Sequence, residues 1–213
     1  IFVAALATGY GLITAFMEEE NARSEESQER LRSELSFLRS QISPHFIFNV
    51  LNSIVYLIRS KSEQAENVTI QLSELIRYML YETDTKQVPV SREVEYLKNY
   101  IELQKIRYGD DVEINVDISG NDSSLTIEPM LLIPFVENAF KHGIGMVRNP
   151  KIDIKLAYDS TNLKFEVKNP IGPEDIDQKD GSSGIGLKNV RRRLELLYKE
   201  KQELSIVNDG KEF

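Results

Sequence analysis

Residues 129–143 read Pro129-Met130-Leu131-Leu132-Ile133-Pro134-Phe135-Val136-Glu137-Asn138-Ala139-Phe140-Lys141-His142-Gly143. The run is mostly apolar and predicts a helix over 130–142, ended by Gly143. On either side the period changes from helical to two. Val112, Ile114, Val116 and Ile118 alternate with polar residues before it. Ile152, Ile154, Leu156 and Tyr158 do so after it, followed by Leu163, Phe165 and Val167. Such alternation predicts half-buried antiparallel strands. A loop rich in Gly, Pro and Asp at 170–183 leads to a helix at 187–199, and Leu204, Ile206 and Val207 predict one more strand. Residues 112–213 therefore read as an α+β domain, with helices on one face of a mostly antiparallel sheet that stops in mid-pattern.

Upstream the sequence is helical. Pro44 suits a first helical position after Ser43 as N-cap. From there to Arg59 the segment is apolar around most of its circumference, except for a stripe of His45, Asn49, Asn52, Ser53 and Arg59 at 100° per residue. A polar stretch at 60–67 predicts a turn, and Val68, Leu72, Leu75, Ile76, Met79 and Leu80 predict a returning helix. A lone hairpin leaves the first helix uncovered, whereas two hairpins make a four-helix bundle, so the expectation is a homodimer with its hairpin at 44–84. Val88-Pro89-Val90 breaks the helical pattern. Ser91 then caps a helix running to about Arg107, within a helical linker at 85–111.

The amino-terminal stretch 1–17 carries no charge and is expected to be the end of a transmembrane helix belonging to a longer protein. Residues 18–43 are polar, with Leu31, Leu35, Leu38 and Ile42 spaced as a short heptad seam, which predicts a signalling coiled coil.

Composition narrows the function. Hydrophobic residues at 41% and charged residues at 28% describe a globular chain, and the net charge of −8 argues against a nucleic-acid-binding face. With no cysteine, thiol catalysis and thiolate metal sites are excluded. With only His45 and His142, there are too few imidazoles for a zinc hydrolase.

Three elements carry chemistry. Asn138, Lys141 and His142 stand at i, i+3 and i+4, on one helix face. An amide oxygen and an ammonium there suit a hydrated magnesium ion and a phosphate chain, although an amphipathic helix showing its solvent face has the same pattern. Gly184-Ile185-Gly186-Leu187-Lys188-Asn189 opens a helix with glycines that let backbone N–H groups approach an anion. His45 lies on the polar stripe of an otherwise apolar helix, where a neutral imidazole can accept a phosphoryl group.

Together these segments resemble a known family. Ser43-Pro44-His45-Phe46-Ile47-Phe48-Asn49-Val50-Leu51-Asn52 is similar to the phosphoacceptor motif of the LytS/YehU-type sensor histidine kinases. Residues 129–143 look like their N-box, and Gly184 to Asn189 with Arg193-Leu194 like their second glycine box; the likeness covers 36–210. The resemblance implies a Bergerat-type ATP-binding fold that holds ATP and Mg2+, autophosphorylation of His45, and phosphotransfer to an aspartate of a response regulator, commonly of the LytTR type. It places the chain at the bacterial cytoplasmic membrane, with its kinase core in the cytoplasm. It assigns nucleotide and metal contacts to Asn138, Lys141, His142, Asn169, Gly184, Gly186, Leu187 and Asn189, with Asn138 on the metal.

Two positions depart from the wider pattern. Phe46 stands where many histidine kinases carry an acid, so the proton of His45 needs another acceptor, for which Glu137 is the candidate. Asn169, in Val167-Lys168-Asn169-Pro170-Ile171-Gly172, stands where an aspartate usually meets the adenine amino group; its neutral amide accepts a weaker bond. These departures are the best support for the rival reading, a catalytically weak or inactive kinase-like dimeric signalling scaffold, against which stand Asn138, Lys141, Gly184, Gly186 and His45. Another ATPase of the same nucleotide fold would leave Pro44-His45 on a dimerising hairpin unexplained.

Overall fold

A computed structural model describes residues 16–17, 19–20, 44–82, 85–120, 124–145, 147–172, 185–209 and 213. Nearly all of the expected coiled coil and of the expected membrane segment, together with Gly184, lie outside the described residues. Among the described residues, no helix is long and apolar enough to cross a membrane.

The chain divides into two units, Ile1–Phe48 and Asn49–Phe213. In the first, residues 44–48 begin helix α1 (Pro44–Arg59) at the expected proline, and Phe46 is buried. All further elements belong to the second.

Along α1, Val50 and Ile54 are buried on one line, Asn52 and Arg59 are exposed, and Asn49 and Ser53 are half-buried, so the polar stripe is largely accessible. A third sector is apolar and open: Leu51 and Val55 are 44% and 45% exposed and Ile58 60%. The turn after α1 is tighter than its polar composition predicts. Helix α2 (Gln64–Arg77) begins three residues before Asn67, because 60–63 suffice to reverse the chain, with Ser62 N–H closing on the Leu57 carbonyl. Beyond Arg77 the helix widens into a π turn, Tyr78–Glu82.

Val88–Pro89 does more than interrupt a helix. It forms a two-residue strand, β1, paired antiparallel with β3 (Thr126–Ile127). Helix α3 (Val90–Tyr108) follows directly, so Ser91 lies inside its first turn and does not cap it; Pro89 holds the cap position with no side-chain hydrogen bond. The Val90 N–H is taken instead by the Leu125 carbonyl, which makes an alcohol side chain unnecessary. Gly109, at φ 54°, ends the helix in a conformation that favours glycine. Residues 85–111 were expected as a linker, yet Val90, Val94, Leu97, Tyr100, Ile101 and Leu103 are buried. Each such side chain stabilises by roughly 1.5–3 kcal/mol, so α3 is held as core. It packs against α2, and its Tyr96 stacks on Tyr78 of the π turn with ring centroids 4.6 Å apart.

The main sheet has three strands in the order β2 (Glu113–Gly120), β4 (Lys151–Tyr158), β5 (Leu163–Lys168). β4 and β5 form an antiparallel hairpin, but β2 and β4 run parallel, so only one of the two pairings in a sheet expected to be mostly antiparallel is antiparallel. Alternation reports which face of a strand is buried and is silent on direction. Direction follows from the connection: the 30 residues from 121 to 150 include helix α4 (Ile133–His142), long enough for a parallel crossover. Ile152, Ile154 and Leu156 of β4 face the core, and the other face carries polar pairs such as Asn115 with Asp153, at 2.9 Å.

The strand expected at 204–207 does not form: 202–209 carry no regular structure, and Val207 is largely exposed. Three apolar residues in four supply too few buried contacts to order a strand without a partner alongside. Backbone pairing near this end falls instead on Phe213, whose N–H and carbonyl exchange bonds of 2.8 and 2.9 Å with Asn169. The last helix, α5 (Ile185–Tyr198), lies where expected and packs on α4.

Candidate functional site

Helix α4 is the element on which the site is built. It begins at Ile133, three residues later than its apolar run predicts, because Met130 adopts a left-handed backbone at φ 57°. That conformation costs a non-glycine residue roughly 1–2 kcal/mol, and no helix can run through it. Pro134 fits the first turn, where a missing N–H leaves nothing unsatisfied. The core side of α4 carries Val136, Ala139 and Phe140, all buried. Phe140 stacks on Tyr108 with centroids 6.0 Å apart and meets Tyr100 edge-on at 6.1 Å. Phe135 meets Phe165 of β5 edge-on at 6.0 Å.

With that side fixed, Asn138, Lys141 and His142 fall together on the outer side: Lys141 exposed, Asn138 and His142 half-buried. Lys141 and His142 also lie in the last turn, where a positive charge is favoured by the helix dipole. Gly143 closes the helix, its N–H 2.8 Å from the Ala139 carbonyl. Its φ of −85° is ordinary, so the glycine is there for space and not for a left-handed cap. A Cβ on Gly143 would stand 2.6 Å from the Ala139 oxygen and 2.7 Å from the Asn169 Cβ. Asn169 is thus seated directly against the end of α4, only 3% exposed, its Nδ2 donating to the Pro170 carbonyl at 2.9 Å. This contact sets Asn169 at the carboxy-terminal end of the helix that carries Asn138.

Leu187 and Val190 anchor the first turns of α5, with Asn189 half-buried between them. Gly186 lies in the first helical turn. His45 lies in the first turn of α1, in the other unit.

Glu137 is the least expected member. Burial pushes its carboxyl up to about 8, and the same burial beside Tyr96 and Tyr100 of α3 raises both phenols. A raised carboxyl favours the protonated folded state. Its contribution to stability is complete below the unfolded value near 4.5 and is lost as pH rises through about 8. Glu137→Gln should therefore flatten the pH profile, sparing on the order of 3 kcal/mol between pH 5 and pH 9. Denaturant unfolding of both proteins at the two pH values measures this; parallel profiles would contradict it.

Sequence reasoning passed over Glu93, which is 1% exposed. Its Oε1 accepts hydrogen bonds from the Tyr78 hydroxyl and, at 2.6 Å, from the Met130 N–H. A signal was present: Glu93 falls among Val90, Val94 and Leu97 on the apolar stripe of α3, where a carboxylate needs a partner. Arg193 of α5 grips the same loop, pairing with Glu128 at 3.1 Å and donating to the Pro129 carbonyl at 2.9 Å.

An α+β domain whose helix α4 ends against a buried asparagine, on a chain that also carries a helical hairpin, defines the class of protein by its fold. Residues 33–112 match the histidine kinase family. The sensor histidine kinase YpdA of Escherichia coli K12 is 31% identical over 91% of this chain and 36% of its own length. The sensor protein LytS of Oceanobacillus iheyensis is 30% identical over 94% of this chain and 37% of its own, and the sensor protein kinase HptS of Staphylococcus aureus is 37% identical over 80% and 31%. Residues 33–112 thus carry the histidine kinase family domain, and the chain as a whole is similar to sensor kinases of the LytS type. It spans about a third of the length of these curated relatives.

Proposed function

We propose that the chain is the kinase part of a two-component sensor, which transfers the γ-phosphoryl group of ATP to His45 and then to an aspartate of a response regulator. The observation that carries the reading is the seating of Asn169 against Gly143, at the end of the helix that bears Asn138 and Lys141. The donor set fits magnesium carried on a nucleotide, because the half-buried Asn138 offers a hard amide oxygen on the outer side of α4. Magnesium, when bound, neutralises charge on the phosphate chain. Lys141 adds a point charge to the phosphates, His142 a further contact, and the N–H groups of Gly186 and Leu187 in the first turn of α5 a place for an anion near Asn189, with Gly184 assigned to the same contacts by its place in the motif. Asn169 accepts from the adenine amino group through its amide oxygen.

Phosphoryl transfer depends mainly on positioning and charge stabilisation, which suits a site without a strong acid–base pair. The reaction forms a bond from a His45 ring nitrogen to the γ-phosphorus and breaks that to the β–γ bridging oxygen, leaving ADP. With Phe46 beside the acceptor, Glu137 is the candidate for the proton, and it accepts one only in the ionised fraction of its carboxyl, which grows as pH rises toward about 8.

The open sector of α1 at Leu51, Val55 and Ile58 supports a homodimer paired through hairpins in a four-helix bundle, with the Bergerat-type domain following. Light scattering that returned a monomer at micromolar concentration would remove this part. Anchoring in the bacterial cytoplasmic membrane through 1–17, and a LytTR-type regulator as partner, complete the reading.

The test is a nucleotide titration with and without magnesium, followed by labelling from γ-labelled ATP. We expect magnesium-dependent binding below millimolar ATP and label that is stable in base and lost in acid. No binding at millimolar ATP would favour the inactive scaffold.

A further inference from the structure

The Glu93 carboxyl stands where three parts of the second unit meet. From the hairpin side comes Tyr78, the first residue of the π turn, whose hydroxyl donates to Oε1. From the loop ahead of α4 comes the Met130 N–H, donating to the same oxygen at 2.6 Å. From α5 comes Arg193, whose guanidinium donates to the Pro129 carbonyl at 2.9 Å and pairs with Glu128, while the Glu128 N–H donates to the Tyr198 hydroxyl at 2.8 Å. The loop 128–130 is thus held on one side by α3 and on the other by α5. Its left-handed Met130 persists because both its N–H and the carbonyl before it are taken. Where that loop ends decides where α4 begins, and so where Asn138 and Lys141 stand.

The hairpin side is tied down as well. Glu82, the last residue of the π turn, pairs with Arg92 of α3, and the Tyr78 ring stacks on Tyr96. A π turn holds one residue more than an α turn and is a place where a helix changes register, frequently at functional sites. A change of winding there moves the Tyr78 hydroxyl relative to Glu93.

We propose that Glu93 is a positioning residue of the kinase site: by accepting from Tyr78 and Met130 together, it ties the π turn at the end of the hairpin to the loop that places Asn138 and Lys141. The inference rests on the kinase reading for what α4 binds, but the tie itself is measurable without nucleotide. The experiment is hydrogen exchange on the full chain, comparing wild type with Tyr78→Phe, Glu93→Gln and Glu93→Met, together with the KM for ATP.

Gln keeps an acceptor oxygen at the right length and Met fills the space without one, so the pair separates hydrogen bonding from packing. Glu93→Gln should keep wild-type protection in peptides covering 128–142. Glu93→Met and Tyr78→Phe should exchange roughly tenfold faster there, with 151–158 unchanged. The KM for ATP should rise several-fold in these two variants, with a smaller change in kcat.

Glu93→Met as protected as wild type would overturn the proposal, because packing alone would then hold the loop. So would equal loss in Glu93→Gln and Glu93→Met, or faster exchange spread evenly over the chain. A wild type that shows the tie and yet binds no ATP overturns the kinase reading and leaves the tie standing.

Discussion

His45→Gln is expected to lower phosphate incorporation from γ-labelled ATP by at least about a thousandfold, with nucleotide affinity within twofold of wild type. The imidazole is the only group at that position able to take a phosphoryl group, and an amide nitrogen has no lone pair available for the attack. Gln is a good helix former, so the first turn of α1 should keep its shape. The affinity is spared because the groups proposed to hold the nucleotide lie at 138–142, 169 and 184–189, far along the chain. The variant also retains His142 as its one histidine. Acid-labile label persisting at the wild-type level would move the acceptor there, and loss of binding along with labelling would point to a folding defect instead. Acid and base stability of the label, read on denatured protein, separates phosphohistidine from a serine ester.

Asn138→Ala carries the second large effect. We expect ATP affinity in magnesium to fall ten- to a hundredfold, as losing a ligand-bearing amide at a charged site costs about 1.5–3 kcal/mol. In the presence of a chelator the two proteins should bind ATP equally weakly. Alanine is favourable inside a helix, and Asn138 lies on the outer side of α4, away from Val136 and Phe140, so stability should change little. An equal loss with and without magnesium would make Asn138 a contact of the nucleotide itself. Unchanged affinity in both conditions would return Asn138 to an ordinary solvent-facing residue.

The surroundings of Asn138 were legible to different depths. Its neighbours at i+3 and i+4 share its face by helical geometry alone, so Lys141 and His142 could be grouped with it before any fold was known. Asn169 was found through its place in a motif; its burial against Gly143 is a tertiary fact, and it changes the role of that glycine from a left-handed cap to a gap left for a neighbour. Glu93 could have been noticed as a carboxylate on an apolar stripe, but nothing local names Met130 or Tyr78 as its partners.

By itself the sequence determined most of the element types, the polar stripe on α1 and the three motifs, because helical and strand periodicities, proline and glycine act over a few residues. Strand direction, the late start of α4 at Ile133, the absence of a strand at 202–209 and the incorporation of α3 into the core were decided only in three dimensions. Each depends on a partner distant in sequence: β4 beside β2, Glu93 on the Met130 amide, Phe213 on Asn169, and Tyr100 against Phe140. Burial and hydrogen bonding between such partners outweigh local preference, since a residue can signal that it needs a neighbour without specifying which one it will meet.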